Sequence, residues 1–171
     1  MRKERGYCKC TGGEDRLQRV VCLATVFTFF VLLAVIGWKD FKTMRIPDRM
    51  NLAVFLTGGC AIFTVPGPDI VERVFGMFAV SVPMLLVAMV TSGGFGGGDI
   101  KLAAAGGLFL GLEGNVLAVL LGLAAGGVWA AGMILFKKAG RRDVFPFGPF
   151  LCGGMMASFV ILCTQGSYYI L

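Results

Sequence analysis

A chain of 171 residues that is 57% hydrophobic and only 15% charged, with a mean hydropathy of +0.81, has too little polar surface to cover a water-soluble globule. It reads as one polytopic membrane domain, residues 19–171, behind a basic tail of residues 1–18. The formal charge of +6 sits in clusters that flank apolar runs, without a basic stripe of interleaved aromatics, which argues against nucleic acid and for topology signals and anionic lipid headgroups.

Crossing a bilayer as a helix takes about 20 apolar residues, and six stretches read as transmembrane helices, giving an all-α bundle. The first covers residues 19–38, closed by Trp38 as an interface anchor and then Lys39. The second covers 48–65 and is stopped by Pro66-Gly67-Pro68. The third covers 70–92 and carries Pro83, a kink signal. A shorter fourth runs from Asp99 to Leu112, where Glu113-Gly114-Asn115 makes a turn into the fifth, 116–136. The sixth covers 150–169, with Tyr168 and Tyr169 as anchors. The spacings Gly107-x3-Gly111 and Gly122-x3-Gly126 let helix backbones pack closely inside such a bundle.

Six spans place the first, third and fifth connections on one side of the membrane. Those connections carry Lys39, Lys42, Arg45, Arg49, Lys101, Lys137, Lys138, Arg141 and Arg142, whereas the opposite connections carry only Arg73. The positive-inside rule puts the basic side in the cytoplasm. Six basic residues among residues 1–19 pull the other way, as a signal-like basic extension, an overlong gene start or an extra span would.

Cys22, Cys60, Cys152 and Cys163 lie in apolar segments, where a thiol acts as a small hydrophobe. Cys8 and Cys10 form a lone CxC, and a structural zinc site needs four ligands in a chain that here has no histidine, so neither a metal nor a cofactor is expected.

Most of the ten acids lie in the tail, in turns or in a basic loop. Asp99 is different. It opens an apolar helix after Gly93-Gly94-Phe95-Gly96-Gly97-Gly98, a position that suits either a carboxylate held by the helix dipole or a functional acid at the membrane edge. Gly96, Gly97 and Gly98 remove every side chain ahead of it and let another backbone, such as a peptide substrate, come close. Asp40 follows the first span on the same side of the membrane. Pro47 disfavours helical angles at Ile46, so the chain turns there, and Asp48 falls in the first turn of the next helix, where a dipole role explains it. Two carboxylates brought together cannot both ionise easily, so one stays protonated while the other acts as base toward a shared water, a chemistry that hydrolyses peptide bonds.

These residues resemble the type IV prepilin peptidases, membrane aspartyl proteases of the GxGD type. Gly96-Gly97-Gly98-Asp99 with Ile100-Lys101-Leu102 is similar to their GxGD signature, and Asp40 followed by Ile46-Pro47-Asp48 and Asn51 is similar to their first catalytic aspartate and the turn after it. Pro146-Phe147-Gly148-Pro149-Phe150, then Gly153-Gly154, resembles their PFGPFL segment. The resemblance implies that Asp40 and Asp99 are catalytic and that prepilin-like precursors (Flp-type, competence-type or related) lose a short basic leader at the cytoplasmic face. Pro146, Gly148 and Pro149 then serve either as a helix start with prolines in its first turn or as a substrate gate. The larger members carry two CxxC pairs and an N-methyltransferase activity; Cys8-Lys9-Cys10 is no match, so methylation is not expected.

Three other readings share some of these features. Presenilin-type proteases share GxGD but pair it with Tyr-Asp and Pro-Ala-Leu, neither of which occurs here. A proton-coupled transporter would need acids deep in its spans and commonly internal repeats. A non-catalytic scaffold would use the small-residue spacings for assembly.

Overall fold

The computed structural model describes residues 14–91, 96–135 and 146–165, and all regular structure among them is helical. The helices are α1 (Glu14–Thr43), α2 (Asp48–Thr64), α3 (Ile70–Val90), α4 (Gly97–Leu135) and α5 (Gly148–Thr164). Cys8, Cys10, the first part of the glycine loop (residues 93–95), the basic cluster 137–142 and the tyrosines at 168 and 169 fall outside the described residues.

By length and composition α1, α3 and α4 are able to cross a membrane, and α5 is a shorter apolar helix. The expected boundaries shift most in two places, and the last helix runs from Gly148 to Thr164 rather than over 150–169. Helix α1 starts earlier and runs on through Asp40 to Thr43, so that aspartate lies in the last turn of the helix rather than beyond it. The expected turn at Glu113-Gly114-Asn115 is helical, and the break falls instead at Gly111, with φ 70° and ψ −173°. That φ is strained for any residue with a side chain. A Cβ there would also stand 2.7 Å from Pro68 Cγ.

The chain reverses at this break. Before it, Gly106 faces Met155 and Phe109 packs near Phe159; after it, Gly114, Ala118 and Gly122 meet Ser158, Gly154 and Phe150 in turn, so the two segments of α4 run in opposite directions along α5. Asn115, a turn signal by composition, is wholly buried and donates to Gly76 O (2.8 Å) and Ala103 O (3.0 Å), tying α3 to both segments of α4.

Lipid tails are as apolar as leucine, so close contact rather than apolar burial must hold these helices together. Gly107 abuts Gly76 and Gly122 lies against the α5 backbone, the internal packing role expected of these two glycines, and Gly154 likewise lies against the α4 backbone. Phe29 of α1 stacks on Phe109 of α4 with centroids 3.8 Å apart, and Phe159 of α5 sits 5.8 Å from Phe109.

Arg73 is only 1% exposed. Its Nε donates to Pro68 O (3.1 Å), Nη1 to Leu108 O (3.3 Å) and Phe109 O (2.9 Å), and Nη2 to Val65 O (3.0 Å). Val65 O lies at the end of α2, Pro68 O in the turn between α2 and α3, and Leu108 O and Phe109 O just ahead of the α4 break; a helix end leaves acceptors unpaired and favours a cation there. Counting it only as a loop charge missed this role. Arg73→Leu leaves these acceptors unpaired at about 1–3 kcal/mol each, and is expected to lower the thermal unfolding temperature in detergent sharply and to cut accumulation in membranes.

Candidate active site

Both membrane-edge aspartates lie at the same end of the bundle, Asp40 in the last turn of α1 and Asp99 in the first turn of α4. Helix α1 stops because Met44 adopts a left-handed conformation, φ 50°, after which residues 45–47 run without helix to Pro47, the extended N-cap of α2. This is the turn that Ile46-Pro47 predicts. It swings Ile46 against Gly98, where a Cβ would stand 3.0 Å from Ile46 Cβ, so the glycine is what lets the two segments meet.

Although each sits at a helix end, Asp40 is 5% exposed and Asp99 is 8% exposed. A carboxylate is seldom so covered unless something holds it. The N–H of Gly148, the first residue of α5, donates to Asp40 Oδ2 at 3.2 Å, so the positive end of that helix points at the carboxylate. Asp99 is hydrogen-bonded by the Gly96 backbone, while its Oδ1 is buried without a partner among the described residues. The two carboxylates are within electrostatic reach of each other, and buried Cys152, one turn into α5, is within reach of both.

The remaining sequence candidates fall around this pair unevenly. Gly148 touches Asp40 directly: a Cβ on it would stand 2.5 Å from Oδ2. Pro149 packs in the first turn of α5 against Gly37 of α1, and Pro146 is half-buried just before that helix. Gly96 borders Asp99, whereas a side chain at Gly97 would meet open space. Asp48, read as structural, forms an exposed ion pair with Lys101 at 2.8 Å across the first turns of α2 and α4. An open groove of about 530 Å³ lies beside that pair, and neither Asp40 nor Asp99 lines it. Among the described residues no group of three His, Cys, Asp or Glu side chains is placed to hold a metal ion.

Two neighbours were not assigned roles from sequence. Cys152 carried no signal beyond its apolar setting. Asn51 did carry one, as an amide one turn after Asp48 on an otherwise largely apolar helix; its Nδ2 donates to Gly98 O at 3.2 Å, one residue from Asp99.

Residues 27–131, which include both aspartates, match the model of the type IV leader peptidase family. The chain is 28% identical to the prepilin leader peptidase/N-methyltransferase of Bacillus subtilis over 83% of this chain and 57% of that protein. It is 30% identical to the protein of the same name from Aeromonas salmonicida over 75% of this chain and 46% of the relative, and 29% identical to that of Aeromonas hydrophila. The chain thus spans about half the length of the curated relatives it matches. No solved structure matches it.

Proposed function

This chain belongs to the type IV leader peptidase family, and from that premise we propose that it is a GxGD-type aspartic endopeptidase that removes the short basic leader of prepilin-like membrane proteins. The observation that carries the reading is the pair of buried carboxylates, Asp40 and Asp99, within electrostatic reach of each other at one end of the bundle.

The chemistry needs only the two acids and water. One carboxyl protonates the scissile carbonyl oxygen while the other takes a proton from a water, whose oxygen adds to the carbon. The resulting gem-diol collapses as the C–N bond breaks and the nitrogen takes up a proton, leaving a leader carboxylic acid and a new amino terminus. The pair titrates as one unit, so the first proton transfer belongs to both residues. No metal or cofactor is assigned a step.

The site faces the cytoplasm in this proposal, with six spans when α2, α5 and the two antiparallel segments of α4 each cross. Lys39, Lys42, Arg45, Arg49 and Lys101 surround the site end, while the one basic residue of the opposite connections, Arg73, is buried against helix ends rather than presented to headgroups. The basic leader of a substrate is kept in the cytoplasm by the same rule, which brings its cleavage point to this edge. Methyl transfer is left out of the proposal, because the sequence offers only Cys8-Lys9-Cys10 toward the CxxC pairs of the larger members. A proton-coupled transporter is not favoured, since the acids sit at helix ends rather than deep in the bundle.

The test is a gel-shift assay with purified protein in detergent or lipid and several classes of prepilin-like substrate. Loss of the leader, with a new amino terminus at one site, supports the proposal; intact substrate from a correctly folded enzyme rejects it. In the same assay Asp48→Asn is expected to stay within about threefold of the unaltered rate, since an exposed ion pair contributes only about 0–1 kcal/mol. A loss as large as that from Asp40→Asn would mean that Asp48 is the first acid.

A further inference from the structure

Asn51 lies in the first turn of α2, 5% exposed, in a helix whose other buried residues are Val54, Gly58 and Ala61. Its amide nitrogen donates to Gly98 O, and its amide oxygen is buried without a partner among the described residues. Burying an amide with half of its hydrogen-bonding capacity unused costs about 1–3 kcal/mol relative to pairing it fully. An apolar side chain of the same volume would avoid that cost. A buried side chain that carries such a penalty marks a place where geometry can matter more than stability.

The geometry it controls is specific. Gly98 is the last residue before Asp99, and its carbonyl fixes the peptide plane from which that aspartate departs. Gly98 has no side chain of its own to hold it in place, and Ile46 presses on the side where a Cβ would stand. The exposed Asp48–Lys101 pair crosses the same two helix starts but is too wet to fix an angle. Asp99 and Lys101, two positions apart on the helix, point to different sides of it, so the ion pair steers the side facing α2 and not the carboxylate.

We propose that Asn51 is a positioning residue for Asp99: its hydrogen bond to Gly98 O holds the start of α4 in the register that presents the aspartate to Asp40. The inference rests on the peptidase reading for its kinetic consequence and on nothing but the fold for its geometric one, so it is tested in two ways.

The kinetic test compares Asn51→Leu, which keeps the volume and removes the donor, with Asn51→Gln, which keeps an amide on a longer stem. Asn51→Leu is expected to lower kcat at least about tenfold, since small misplacements of reacting groups are costly, with KM within about twofold and the thermal unfolding temperature unchanged or raised. Asn51→Gln should recover part of kcat. An unaltered kcat in Asn51→Leu, or a raised KM with kcat intact, would overturn the proposal. So would failure of both Asn51→Leu and Asn51→Ala to fold, because the amide would then be needed for the fold itself.

The geometric test needs no turnover. In a background with the native cysteines replaced by alanine, Asp40→Cys and Asp99→Cys are joined by a short thiol-specific crosslinker, and the yield is expected to fall at least about threefold when Asn51→Leu is added. An unchanged yield rejects the positioning role even if no substrate is ever cut, whereas inactivity of the unaltered enzyme toward every prepilin rejects only the peptidase reading.

Discussion

Asp99→Asn is expected to abolish leader cleavage, by at least about 10²–10⁴-fold, the range a positioned acid or base commonly contributes, while insertion, accumulation and thermal unfolding stay close to those of the unaltered protein. Asparagine has the shape of aspartate but cannot shuttle a proton. The structural cost is small: Oδ1 has no partner to lose among the described residues, and the Gly96 backbone still finds an amide oxygen to bond. Removing one member of a close acid pair also relieves repulsion, so stability should not fall. Asp40→Asn should behave alike, with the Gly148 N–H donating to the amide oxygen in place of Oδ2. Initial cleavage rates and unfolding curves measured on the same preparations decide the matter. Retained cleavage by either variant would end the two-aspartate mechanism.

The second large effect is expected from a single methyl group. In Gly148→Ala the new carbon would stand 2.5 Å from Asp40 Oδ2, 2.9 Å from its Cγ and 3.2 Å from its Cβ. Neither side gives way easily, since Asp40 is in the last turn of α1 and the offending atom is fixed to the backbone of α5. Either the carboxylate turns away or the start of α5 retreats, and in both cases the N–H donation is lost. A displacement of about 1 Å at a reacting group costs roughly 10² in rate, so kcat should fall by about that factor. Gly153→Ala is the control on the same helix: its Cβ meets nothing within 4 Å. It should cleave normally and hold α5 slightly better. Equal losses from the two variants would show that α5 tolerates no substitution and that the contact with Asp40 is not special.

Much of this was readable in the sequence because the signals were local. Proline at 47 breaks a helix whatever surrounds it, and the apolar runs delimit helices by length alone. Glycines before an acid mark a place where another backbone can approach. The parts that were not readable depend on partners far along the chain. Gly114 and Asn115 have turn composition, yet Asn115 earns its place in a helix by bonding Gly76 and Ala103, while the reversal falls to Gly111 because Pro68 packs there. Arg73 looked like a loop charge because nothing in its neighbours announces that the carbonyls of Val65, Leu108 and Phe109 converge on it. For the site, both aspartates stood out by residue type and position, but the Gly148 N–H that meets Asp40 is invisible until α5 is docked. Cys152 and the orientation of Asn51 were out of reach for the same reason.

The contact between Asp40 and Gly148 spans 108 residues of chain. A ribosome adding about 5–20 residues per second needs roughly 5–20 s to cover that stretch, and throughout this interval Asp40 is already made while the helix that fixes it is not. The buried setting of Asp40 is therefore completed only once the start of α5 has been made.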